Sequence, residues 1–280
     1  MVPMAFSAEP SRLGTMRANP LPMRRLRAAG LLPERRCRLL RERVALPDGR
    51  ATTLHVASYR RDAYLPRLVV LERPTRLAAW CKEQQVRHAV VGGFFSRPEY
   101  LPLGRLQVGG EDRGSLQFDP PWDTVRACVH IDGDTLLIAR RDELAADLGG
   151  DLLQAGPLLV RDGRRVIADG EDPEGFSAGA HQFDSDITQG RYPRAALAVA
   201  GDRLLAVACD GRTPDDAGMT LVELADALID LGASEAINLD GGGSASLVHH
   251  GRLRNRPREE HGVDLLGGRP VVTAIVFDPR

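Results

Sequence analysis

The chain has 280 residues, 43% of them hydrophobic and 27% charged, with a formal net charge of −1 at pH 7. Such a length and apolar content describe a globular protein able to bury a sizeable core. The near-zero net charge supplies no global field for nucleic acid or an anionic membrane, so recognition must be local and the expected partners are small molecules.

Residues 1–35 are rich in arginine and poor in acids, and are set aside as a basic, flexible tail; residues 36–280 are expected to form one domain. The N-terminus lacks the apolar segment of a secretory signal, and no run approaches the roughly 18 apolar residues of a membrane span. A cytoplasmic location is the expectation. Lys82 is the only lysine among 37 basic residues, which excludes lysine chemistry almost everywhere. Cys37, Cys81, Cys128 and Cys209 form no Cys-x-x-Cys pair and have no histidine spaced as a zinc partner. Each is expected to be a buried or idle thiol, and neither a metal nor another cofactor is predicted.

The first element is a hairpin: Val44 and Leu46 lead into Pro47-Asp48-Gly49-Arg50, and Thr52 to Ala57 alternates beyond it. A strand at Leu68 to Leu71, a helix from Thr75 to Gln84 with Thr75 as N-cap, and a strand at His88 to Val91 follow. That strand runs into Gly92-Gly93-Phe94-Phe95, where the glycines permit close approach of a ligand and the aromatics fit a core equally well. Val125 to Ile131 and Thr135 to Ala139 read as a second hairpin about Asp132-Gly133-Asp134. Ala155 to Gly163 reads as a buried strand bounded by turn residues.

Ala168 to Gly190 has no apolar period and reads as a long loop, a length that in compact domains is usually functional or disordered. It carries His181, Asp184 and Asp186, where a solvated loop histidine stands as the plain alternative to a ligand. Ala195 to Ala200 and Arg203 to Cys209 make a third hairpin ending in Asp210-Gly211-Arg212. The clearest helix is Met219 to Leu231, stopped by Gly232, with Glu223 and Asp226 on its less apolar, solvated side. Ala236 to Leu239, Ser246 to His249 and Val271 to Phe277 are the last strands. Many hairpins with few helices make the class α+β, with mixed but largely antiparallel sheets, a few packed helices and one domain.

Between two of those strands lies Asn238-Leu239-Asp240-Gly241-Gly242-Gly243-Ser244. Consecutive glycines let main-chain N–H groups converge on an anion, but the same run also fits a tight hairpin turn. A strand follows Gly241 to Gly243 where a dinucleotide fingerprint requires a helix, and no Gly-x-Ser-x-Gly elbow is present. Carboxylate chemistry remains. Asp240, Asp210, Glu223, Asp184 and Asp186 could divide acid and base roles, and Arg194 offers bidentate binding of a phosphate or carboxylate.

Beyond these local readings, Ala155-Gly156-Pro157-Leu158-Leu159-Val160, Arg194 through Asp210-Gly211-Arg212, Gly218-Met219-Thr220 with Glu223, the Asn238 to Ser244 run, Asn255 and Arg269-Pro270-Val271 fall in an order that resembles the phosphodiester glycosidase family. The resemblance spans roughly Gly92 to Phe277. It implies hydrolysis of a sugar-1-phosphodiester at the anomeric C–O bond, releasing free sugar. It also implies Asp240 and Glu223 as acid, base or nucleophile, Asp210 in support or binding sugar hydroxyls, and Arg194, Ser244 and the N–H groups of Gly242 and Gly243 on the phosphate. Asn238, Gly92, Gly93, Gly241 and Asn255 join the binding set, with His181, Gln182, Asp184 or Asp186 supplying contacts from the long loop. The chain departs from the family pattern at Val91, where Asn is common, and at Ala195, where Thr is usual. Two rival functions stand beside hydrolysis. One is a non-catalytic sugar-phosphate binding protein; the other is a phosphodiesterase cleaving P–O with metal ions held by Asp184, Asp186 and Asp240.

Overall fold

In this computed structural model, residues 36–177 and 187–280 are described. The expected tail over 1–35, and His181, Gln182, Asp184 and Asp186, lie outside them. The first strands are β1 (Cys37–Ala45), β2 (Ala51–Arg60), β3 (Tyr64–Arg76), β4 (His88–Val91), β5 (Leu106–Val108) and β6 (Glu111–Asp112). Next come β7 (Ala127–Asp132), β8 (Thr135–Arg140), β9 (Asp151–Gln154), β10 (Leu158–Arg161) and β11 (Arg164–Arg165). The last are β12 (Arg194–Ala200), β13 (Arg203–Cys209), β14 (Glu235–Asn238), β15 (Leu247–His249), β16 (Arg252–Leu253) and β17 (Pro270–Pro279). Among the described residues three α-helices accompany them: α1 (Leu77–Glu83), α2 (Trp122–Val125) and α3 (Leu221–Asp230).

The strands pair antiparallel throughout, in a seven-stranded sheet of order β1-β2-β13-β12-β14-β10-β11 and two five-stranded sheets, β16-β15-β4-β17-β3 and β6-β5-β9-β7-β8. The expected α+β class is the class observed. Period-2 alternation explains the near-continuous apolar run of β12: Ala195 and Leu197 face one buried cluster shared with the second sheet, while Ala196 and Ala198 face another. Leu221, Leu224, Ala225 and Leu228 of α3 close that second cluster, so the large sheet is covered on both faces.

Helix boundaries follow local chemistry. Thr220 caps α3, its hydroxyl accepting from the Glu223 N–H at 3.1 Å while the Glu223 carboxylate accepts from the Thr220 N–H at 3.0 Å, a reciprocal capping box. At the other end Ala233 N–H bonds Leu228 O and Gly232 N–H bonds Ile229 O, with Gly232 at φ +90°, so glycine closes the helix as expected. The expected start of α1 at Thr75 is corrected. Thr75 and Arg76 still pair with Val271 and Pro270 of β17, and the Thr75 hydroxyl donates to Arg73 O, so the helix begins at Leu77 without a side-chain cap. Similarly, β7 starts at Ala127 because Trp122 to Val125 form one helical turn.

Candidate active site

The Asp240–Ser244 run is not a hairpin turn. The strand before it, β14, pairs with β12 and β10 in the large sheet, and the strand after it, β15, pairs with β4 and β16 in the second sheet. The loop is therefore a crossover between sheets, and its backbone is tied to both. Leu239 N–H bonds Ala195 O at 2.9 Å, Asp240 N–H bonds Gly92 O at 3.0 Å, and Gly242 N–H bonds Pro193 O at 2.8 Å. Gly92 N–H in turn bonds Thr273 O on β17 at 3.0 Å.

A cavity of about 340 Å³ opens over this crossover, with Asp240, Gly241, Gly242 and Asn238 on its floor. Arg97, Arg212 and Arg269 line it together with Glu259, Phe94, Phe95 and Tyr192. Arg212 lies over the Tyr192 ring at 5.3 Å and donates to Arg258 O at 2.9 Å. Glu259 binds Arg269 through Nε at 2.8 Å and through Nη2, and lies 3.8 Å from Arg212. Missing side chains on the loop make this assembly possible. A Cβ on Gly243 would stand 2.6 Å from Glu259 Oε1, and Gly242 holds φ +57° against the Arg212 guanidinium.

Asp240 is the titratable group of the floor. Burial pushes its carboxyl up from 3.8 to about 6, against the opposite pull of Ser244, Arg269, the Gly241 N–H and Arg97. A carboxyl poised near neutrality, among guanidinium groups that prefer an anion, can exchange a proton or attack as a carboxylate beside bound phosphate. Asn238 fixes the strand end by donating from Nδ2 to Gly156 O at 2.9 Å, while its buried Oδ1 has no hydrogen-bond partner.

Other residues singled out from the sequence lie elsewhere. Glu223 does not line the cavity: its carboxylate is held by Arg191 at 2.9 Å and by the capping box, and although burial raises its pKa, the hydrogen bonds and charge of Arg191 together with the Thr220 contacts hold it below the usual range. Its assignment as acid, base or nucleophile is corrected to a helix cap. The accompanying view of its helix face as merely solvated is corrected too, since Glu223 is only 12% exposed in its side chain. Asp210 is buried off the cavity, with Oδ2 3.0 Å from His55 Nε2 and Oδ1 accepting from Arg256 N–H at 2.6 Å. It supports the loops that carry Arg212 and Glu259 from behind. Arg194 does reach the cavity, but its nitrogens donate to Met219, Ile187 and Gly190 carbonyls at 3.1, 2.8 and 3.2 Å, so it clamps the cavity wall, while Arg212 and Arg269 also line the cavity.

Main-chain assignments shift as well. The Gly242 N–H is spent on Pro193, which removes it from the anion nest. Asn255 bonds Leu247 N–H and Ala245 O at 2.9 and 2.7 Å, and so stiffens the loop exit without touching the cavity. Gly92 and Gly93 serve close packing: a Cβ on Gly92 would meet Thr273 Oγ1 at 2.4 Å, and Gly93 N–H bonds that same oxygen at 3.0 Å. Val91 and Ala195, the two departures from the family pattern, are fully buried in the core shared by the sheets. Of the aromatic pair, Phe94 packs edge-on to Phe176 and Phe95 stacks on Tyr100, so both are core and cavity wall at once. Sequence reasoning quoted Arg212 and Arg269 only within the order of motifs, assigning neither a role, and missed Arg97 and Glu259; Arg97 follows the Gly-Gly-Phe-Phe segment by two residues, whereas nothing local distinguishes Glu259 from its charged neighbours.

Antiparallel sheets joined by this crossover define an α+β class shared with solved structures. A catalytic domain of N-acetylglucosamine-1-phosphodiester α-N-acetylglucosaminidase from zebrafish, auto-inhibited by its pro-peptide, superposes with a TM-score of 0.65 at 20% identity, covering 87% of this chain and 83% of that one. A hypothetical protein from Synechocystis gives 0.61 at 18% identity over 87% of this chain, which spans 62% of that protein's length. A protein of Burkholderia pseudomallei inferred to be exported gives 0.59 at 18%, covering 85% and 76% of the two chains. A search of curated proteins finds no match.

The sequence profile of phosphodiester glycosidases matches residues 84–278, and the chain belongs to that family. Among the described residues no helix is long and apolar enough to cross a membrane. The cytoplasmic location expected above rested on residues 1–35 and gains no support from the exported relative.

Proposed function

We propose that this chain hydrolyses the anomeric C–O bond of a sugar-1-phosphodiester, with Asp240 as the reacting carboxylate and Arg212 and Arg269 holding the phosphate. One observation carries the reading: a carboxyl raised to about 6 shares a cavity with Arg97, Arg212 and Arg269. Phosphate is a good leaving group, so the demand for acid catalysis is smaller than for an ordinary glycoside. The larger need is stabilisation of an oxocarbenium-like transition state, which an ionised Asp240 supplies as base or nucleophile. The guanidinium groups balance the charge that accumulates on the departing phosphate. Family membership and the zebrafish relative's name support the same chemistry. Asn238, whose buried Oδ1 lacks a partner, orients the floor of the site.

Incubation with a sugar-1-phosphodiester tests this by the release of reducing sugar. Asp240→Asn should lower kcat/KM by roughly 10²–10⁴-fold, and unchanged turnover would remove Asp240 from the reaction. Saturable binding with no product from the native protein would replace the enzyme by the sugar-phosphate binding module.

A further inference from the structure

A second cluster lies away from the cavity, at the end of β2 remote from His55. Here the first strand of the large sheet meets the β15–β16 turn of the second sheet: Cys37 opens β1 opposite Tyr59, while His249 ends β15 and His250 begins the turn. Ligand atoms of Cys37, His249 and His250 all lie within 4.8 Å of one another, with Cys37 Sγ 3.9 Å from His250 Nε2. We propose that Cys37, His249 and His250 form a binding site for a borderline-soft transition-metal ion, Zn²⁺ being the probe, that staples β1 to the second sheet.

The donor set is of the right kind. One thiolate and two imidazoles with a remaining position for water is a zinc-type set, and Zn–S near 2.3 Å with Zn–N near 2.0 Å at tetrahedral angles places S and N about 3.5 Å apart. The observed 3.9 Å between Cys37 Sγ and His250 Nε2 needs a contraction of a few tenths of an ångström, and the other pairs, within 4.8 Å, close by at most about 1.3 Å through side-chain rotation. The surroundings also match. Tyr64 donates its hydroxyl to Cys37 Sγ at 3.2 Å, as a group that orients a thiolate does, and Tyr59 OH lies 3.2 Å from His249 Nδ1. His250 is held at φ +51° before Gly251 at φ +70°, a left-handed turn pair whose first position usually carries Asn or Gly. An imidazole kept at that position is directed toward Cys37.

His88 packs beside the site, its Nδ1 3.2 Å from His249 Nδ1. Arg254 is committed to the His249 carbonyl at 2.9 and 2.7 Å. Arg87 Nη2 lies 3.2 Å from His250 Nδ1. Coordination through Nε2 moves the imidazole proton to Nδ1, so Arg87 must swing toward solvent. On binding, the Cys37 S–H bond breaks, the metal–sulfur bond forms and the proton leaves to water.

The test titrates the full-length, chelator-treated chain with Zn²⁺ by calorimetry and with Co²⁺ by absorption. One equivalent should bind, with a thiolate-to-cobalt charge-transfer band and a raised Tm. Cys37→Ser, at a half-buried position, and, separately, His250→Ala, at an exposed one, should weaken binding at least about 10-fold and the first should abolish the band. His261→Ala, an exposed histidine elsewhere, should change neither. Absence of stoichiometric binding, or binding and Tm shifts that survive in Cys37→Ser and His250→Ala, would overturn the site.

Discussion

Asp240 concentrates a conflict between stability and chemistry in one side chain. With its pKa raised from 3.8 to about 6, the native state binds more protons than the unfolded chain across that interval, so stability from this group is full below pH 4 and is lost as pH rises to 6. Asp240→Asn should therefore be more stable than the native protein at pH 7 by on the order of 1–3 kcal/mol, with the gap opening between pH 4 and 6 in urea titrations. A variant no more stable at pH 7 than at pH 4, relative to wild type, would contradict the raised pKa. With the ionised form as the proposed reactant, kcat/KM should climb through about pH 6 and level off above it; a profile that falls there would make Asp240 a general acid. Arg269→Ala removes a charged donor pair from the phosphate and frees Glu259 to repel it. KM for the diester should rise about 10–100-fold, the equivalent of one charge-assisted hydrogen bond, and an unchanged KM would separate Arg269 from substrate.

At the scale of elements, Glu223 illustrates what local pattern does and does not reveal. Its place in the Thr220-x-x-Glu223 capping box was legible in the sequence, because that spacing is itself the cap signature, yet titratability drew attention to it as a catalyst instead. Glu223→Ala should cost about 1–2 kcal/mol through the lost cap and leave kcat/KM within a few-fold of wild type; a collapse of turnover in a variant that stays folded would restore Glu223 to the site. Strands were readable wherever an apolar run was long, as in β12, β13 and β17, and the glycine stop of α3 was readable from Gly232. The short β5, β6, β9, β11 and β16 carry too few residues to show a period. Thr75 misled because its hydroxyl closes on Arg73 while the chain is still paired with β17, a partner almost two hundred residues away.

The whole molecule is organised by the crossover that carries Asp240 from the large sheet to the second. Sequence pattern found the loop but could not distinguish turn from crossover, since that depends on which distant strands β14 and β15 pair with. Arg97, Arg212, Glu259 and Arg269 come from separate loops, and only the packing of the sheets brings them to one cavity. Burial of Val91 and Ala195 in the intersheet core makes those departures from the family pattern changes of packing beside the site, without removing any group that lines it. Which bond is cut separates a glycosidase from a phosphodiesterase. Hydrolysis of a sugar-1-phosphodiester in oxygen-18 water should place the label in the released sugar and none in the phosphate; label in the phosphate would mean P–O cleavage and would contradict the proposed glycosidase.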